Sequence, residues 1–142
     1  MPIQSLAPAT GANGRIRTDE YGGWLTEALA PGVCEGAVVG AAMDYTNAHL
    51  DRVELHDVCS AVGVSERSLR RAFSAVTNMS WREYLLQSRL MRAMAILAEP
   101  GPTVLEAATR VGFGSASAFT RAFSKYTGET PTVYRQRVLA GR

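Results

Sequence analysis

Fourteen of the fifteen basic residues are arginine, and Lys125 is the single lysine. Arginine carries a planar fork of donors that grips a carboxylate, a phosphate or a guanine edge in pairs, which the point charge of lysine cannot do. Three of them, Arg67, Arg70 and Arg71, fall within five residues. At about 100° per residue they share one side of a helix with Ser74, while Leu69, Ala72, Phe73 and Val76 share the other. Fifty residues on, Ser117, Thr120, Arg121 and Ser124 repeat the polar side, and Phe119, Ala122, Phe123 and Tyr126 the apolar one. Such a stripe can bond to base edges through Arg, and to bases or phosphates through Ser and Thr.

Other chemistries find little support. Cys34 and Cys59 cannot by themselves make a disulfide framework or a structural zinc site. Cys59 falls on an apolar face with Leu55, Val58 and Val62 and is expected in the core. His49 and His56 lack companions at metal-ligand spacing and read as surface residues, so no metal and no cofactor is expected. Neither a glycine-rich phosphate loop nor a nucleophile elbow is present.

Charge is divided unevenly along the 142 residues. Residues 1–50 hold two basic and five acidic side chains, and residues 51–142 hold thirteen basic and eight acidic, a net of +5. A basic C-terminal two-thirds favours an acidic partner. With 46% hydrophobic residues the chain can bury a core. The run Gly36 to Met43, eight residues without a strongly polar side chain, is too short to span a bilayer. The first 30 residues show no basic start followed by an apolar stretch, so a cytoplasmic protein without a secretory signal is expected.

The elements that must position the two stripes are helices. Residues 1–34 are rich in Gly, Pro, Ala, Ser and Thr and read as a flexible head or linker, in which Tyr21, Trp24, Leu25 and Leu29 could form one docking turn. From Glu35 onward helix signals dominate. The spacing predicts helices over about 35–50, 55–62, 65–76, 80–97, 103–111, 115–126 and 130–139. Capping boxes Ser80/Glu83 and Thr103/Glu106, N-caps Ser65, Ser115 and Thr130 with Pro131, and stops at Pro100-Gly101-Pro102 and Gly128 set their ends. Trp81, Tyr84, Leu85, Leu90, Met91, Met94 and Leu97 make the longest helix apolar around most of its circumference, as suits a helix wedged between two subdomains.

Residues 65–84 and 115–134 repeat one another. Ser65/Ser115, Arg71/Arg121, Ala72/Ala122, Phe73/Phe123, Ser74/Ser124, Thr77/Thr127 and Tyr84/Tyr134 are identical at an offset of 50. Upstream the offset becomes 49, pairing Val62-Gly63 with Val111-Gly112, so the second copy has one extra residue in its turn. Each copy reads helix, glycine-containing tight turn, Ser-capped helix, which is a helix-turn-helix pattern.

Over about residues 36–138 these motifs resemble the AraC/XylS family of bacterial transcription regulators. The most specific stretch runs from Thr103 to Arg135 and contains VGFGSASAFTRAFSKYTGETPTVYR; the first copy contributes VGVSERSLRRAF and then WREYLLQSRLMRAMAIL. The resemblance implies an all-α fold of seven helices, two homeodomain-like helix-turn-helix subdomains (35–79 and 103–142) joined by a linker helix (80–98). It implies that two recognition helices enter successive major-groove segments of double-stranded DNA. Carried over by motif, Arg67, Arg70 and Arg71 would contact bases in the first, and Ser117, Thr120 and Arg121 in the second. Ser65, Ser68, Ser74, Ser115, Ser124 and Lys125 would contact phosphates. Ala116 stands where the family often has a polar residue, Glu54 where it prefers a Ser or Thr cap, and Cys59 where it has a small Ala, matched by Ala108 in the second copy. Arg89, on the polar strip of the linker helix, is open to a structural ion pair or a phosphate contact.

The expected function is therefore sequence-specific DNA-binding transcription regulation, as an activator, with RNA polymerase as a partner and no catalysis. A protein-interaction module that has lost its DNA, such as an anti-activator, is the alternative, which Arg67, Arg70, Arg71 and Arg121 argue against. The 34-residue head is too short for the effector-sensing domain most of the family carries, so either a sensor has been removed or the regulator stands alone. A monomer is expected, with any dimerisation left to a sensor.

Overall fold

A computed structural model describes residues 33–141, which form seven helices and no strand. They are α1 (Val33–Ala48), α2 (Leu55–Val62), α3 (Glu66–Thr77), α4 (Trp81–Leu97), α5 (Val104–Arg110), α6 (Ala116–Thr127) and α7 (Pro131–Ala140). No helix among these residues is long and apolar enough to cross a membrane. The linker reading of residues 1–34, with its docking turn around Trp24, lies outside the described residues up to residue 32, and α1 begins at Val33.

Local chemistry sets the helix ends. Ser65 accepts from the Ser68 amide at 3.1 Å, Ser115 from Ala118 at 3.1 Å and Thr130 from Val133 at 3.2 Å. At α4 and α5 the exchange is reciprocal: Glu83 accepts from the Ser80 amide while Ser80 accepts from Glu83, and Glu106 and Thr103 do the same. These bonds satisfy amides that the first turn of a helix leaves without partners. Without a hydroxyl at position 54, α2 uses Asp57, whose carboxylate accepts from the Glu54 amide at 3.1 Å. α1 ends at Ala48 rather than at Leu50: the His49 amide donates to the Thr46 carbonyl three residues back at 3.1 Å, and the chain turns off there.

The described residues divide into two compact units, one of residues 33–49 and 53–84 and the other of 50–52 and 85–141, so the division falls inside α4. In the first, α1 packs on α2 and α3 and buries Val38, Val39, Ala42, Val58, Val62, Leu69 and Phe73. Trp81 closes this core and donates its indole N–H to the Thr46 hydroxyl at 2.8 Å. In the second, Leu90, Ala93 and Leu97 meet Ala107, Ala108, Val111, Phe119 and Phe123. Each buried Leu or Phe contributes about 1.5–3 kcal/mol, so these two clusters anchor the stripes on the opposite faces of α3 and α6.

The repeat is structural as well as sequential. Thr77 donates to the Phe73 carbonyl at 2.7 Å and accepts from the Met79 amide; Thr127 donates to Phe123 at 2.8 Å and accepts from Glu129. Phe73 packs against Tyr84 with the rings tilted by 60° and their centroids 5.4 Å apart, and Phe123 meets Tyr134 edge-on at 64° and 5.5 Å. Val76 and Tyr126, expected in the two cores, are instead 46% exposed each. Both lie in the last turn before a left-handed C-cap, Asn78 or Gly128, where the chain turns off and leaves the end of the apolar face uncovered. Met91, expected to be covered with the rest of α4, is also largely exposed, at 61%.

Candidate nucleic-acid interface

The first unit presents α3. Burial of Leu69, Ala72 and Phe73 turns Arg67, Arg70, Arg71 and Ser74 outward, and all four are exposed. Positions i, i+3, i+4 and i+7 make one continuous stripe. Ser65 is exposed and Ser68 half-buried, and their hydroxyls bond to each other at 3.0 Å. These two serines thus serve the helix start directly.

The second unit presents α6 in the same manner. Ser117 and Arg121 are exposed, and Thr120 and Ser124 half-buried. Ser115 caps the helix, Lys125 is exposed in its last turn, and Ala116 adds no polar group at the first position. The structure therefore groups Arg67, Arg70, Arg71, Ser65, Ser68 and Ser74 on α3 and its cap, and the other six candidates on α6 and its cap.

Charge on the two stripes differs. α3 carries three guanidiniums and one carboxylate, Glu66, whose Oε1 lies 3.4 Å from an Arg70 nitrogen. α6 carries Arg121 and Lys125 and no acidic group. Arg67, Arg71, Arg121 and Lys125 make no ion pair among the described residues. Arg82, passed over in the sequence, lines a cavity of about 290 Å³ with Leu55, Arg70, Ser74, Ser80 and Trp81. A signal for it was present: a basic residue in the first turn of a helix opposes the helix dipole.

Arg89 lies on α4, outside both stripes. Its Nε–H donates to the Leu50 carbonyl at 2.8 Å, and burial lowers its pKa against the raising effect of nearby Asp51. The guanidinium remains a cation and holds residues 50–52 in the second unit. Cys59 is buried, and burial, then the Glu66 charge, pushes its thiol pKa up. A neutral, covered thiol is a poor nucleophile. His49 and His56 are exposed, and no group of three metal-binding side chains occurs among the described residues.

Comparison with known proteins agrees with this arrangement. A family profile described as a helix-turn-helix domain matches residues 58–137, more than half of the chain. The chain is 37% identical over 90 residues to the HTH-type transcriptional activator RhaR of Cronobacter sakazakii, covering 62% of this chain and 32% of that protein. It is 31% identical over 86 residues to the Msm operon regulatory protein of Streptococcus mutans, covering 61% of this chain and 31% of that protein. It thus spans about a third of the length of these relatives. The solved DNA-binding domain of AdpA, a global transcriptional factor in complex with a target DNA, superimposes with a TM-score of 0.68 at 25% identity. That match covers 73% of this chain and 95% of the other.

Proposed function

The chain belongs to the AraC/XylS family of helix-turn-helix transcription regulators, and from that premise we propose that it reads double-stranded DNA with α3 and α6. One observation carries the reading: at matched positions of an internal repeat, two capped helices bury Leu69/Phe73 and Phe119/Phe123 and turn a stripe of Arg, Ser and Thr to the other side. A major groove about 12 Å wide admits such a helix and offers guanine two acceptors for each arginine fork.

In this reading Arg67, Arg70 and Arg71 contact bases in one segment, and Ser117, Thr120 and Arg121 in the next. Ser74, Ser124 and Lys125 contact phosphates, together with the helix starts at Ser65, Ser68 and Ser115. α3 supplies more sequence discrimination than α6, because Ala116 offers a base only apolar contact. Relatives named as activators support an activating role, for which RNA polymerase would be the partner. The chain acts as a monomer in the cytoplasm, and no side chain has a catalytic part.

Selection from a random duplex library with the purified chain tests this. A recovered consensus containing guanine in one segment is the expected result. Failure to enrich any sequence over the input pool would refute it and favour a protein-binding module.

A further inference from the structure

We propose that Glu66 is a positioning residue for DNA reading: its carboxylate holds the Arg70 guanidinium toward a base edge and penalises its use as a phosphate clamp. The proposal rests on the role given to α3 above. Glu66 is the first residue of α3 and the only acidic side chain of that helix, next to a stripe otherwise made of Arg67, Arg70, Arg71 and Ser74. The ion pair to Arg70 spans one helical turn, with the two side chains 48% and 63% exposed, so both remain accessible to a ligand.

The repeat provides an internal comparison. Glu66 corresponds to Ala116 and Arg70 to Thr120, so α6 lacks both partners at once, while Arg71 and Arg121 are kept in both copies. A first-turn carboxylate and an i,i+4 pair also stabilise a helix, yet α6 forms with only its Ser115 cap and an alanine in the same place, so the DNA readout below is what separates the two roles.

The two kinds of DNA contact respond differently to such a pair. Arginine has five N–H donors, so one held by Glu66 leaves others for O6 and N7 of a guanine. A phosphate approaching the same guanidinium meets a carboxylate a few ångströms away and is repelled. Because phosphate contacts supply nearly all non-specific binding, Glu66 subtracts from affinity for arbitrary DNA while leaving the base contact in place.

The test uses the full chain as wild type, Glu66→Gln, Arg70→Ala and the double variant, at one salt concentration. The probes are the duplex recovered by selection with the wild type and a random-sequence duplex pool of the same length. Glu66→Gln should bind the random pool more tightly and lower the ratio of selected to random affinity about tenfold. In the Arg70→Ala background the same change should move that ratio by less than about twofold, as coupling through Arg70 requires. Melting of each variant should stay within about 2 °C of its parent. An unchanged ratio for Glu66→Gln, with or without a lower melting temperature, would overturn the proposal, as would an equal change with and without Arg70. If Arg70→Ala itself weakens both probes equally, the assignment of α3 as a base reader fails first, and this inference with it.

Discussion

Replacing Gly112 with alanine should destabilise the second unit by about 3–4 kcal/mol, a value that can be built from its surroundings. Gly112 has φ +96°, and a Cβ there would lie 2.7 Å from the Asp51 carbonyl oxygen, 2.9 Å from that of Leu50 and 3.0 Å from an Arg89 nitrogen. The backbone conformation alone costs an alanine about 1–3 kcal/mol. The two carbonyls belong to the main chain and cannot swing aside. Displacing them strains the Arg89–Leu50 hydrogen bond of 2.8 Å, and a bond to a charged donor contributes about 1.5–3 kcal/mol. Gly114 is the matched control, because an added Cβ there meets nothing within 4 Å and its φ is not in the left-handed range. Thermal unfolding followed by far-UV circular dichroism should show Gly112→Ala melting roughly 10 °C below the wild type, with Gly114→Ala within about 2 °C of it. If the two variants melt together, the close approach of the α5–α6 turn to residues 50–52 is wrong.

Two further predictions concern DNA and acid. On the selected duplex Arg70→Ala should cost about 1–3 kcal/mol and Ser117→Ala about 1 kcal/mol, while Lys125→Ala weakens selected and random DNA alike and flattens the salt dependence, as fluorescence anisotropy titrations over a salt series would read. The Glu106 carboxyl lies below its ordinary pKa of 4.5 because the Thr103 amide and hydroxyl bond to it, and Glu129 does so because Arg137 bonds to it. A depressed folded pKa stabilises above the ordinary value and the contribution is lost as pH falls through the folded one. The melting temperature should therefore fall below about pH 4.5, and Glu106→Gln should make that fall shallower while melting lower at pH 7.

What the sequence revealed was what short-range chemistry encodes. Ser65, Thr103, Ser115 and Thr130-Pro131 each begin a helix because a side chain or ring acts on the next three residues, so those starts are readable without a fold. The stripes on α3 and α6 follow from helical spacing alone, and Cys59 lies in the core where its apolar neighbours put it. What was not readable depends on distant partners. Nothing local announces that Arg89 holds the Leu50 carbonyl thirty-nine residues away, or that Trp81 bonds to Thr46. Val76 and Tyr126 show the opposite failure. Their spacing is right for burial, but α3 and α6 end beneath them and leave them exposed. Glu66 and Arg70 stand at the spacing of a helix ion pair, and that signal was legible but obscured by the arginines around it.

The most direct test of the account is hydroxyl-radical footprinting of the selected duplex with wild type, Arg71→Ala and Arg121→Ala at matched occupancy. A single chain should protect two segments about 10 base pairs apart, with Arg71→Ala weakening protection of one and Arg121→Ala of the other. Protection of a single short segment, or protection that requires two copies on a palindrome, would contradict two reading helices in one chain.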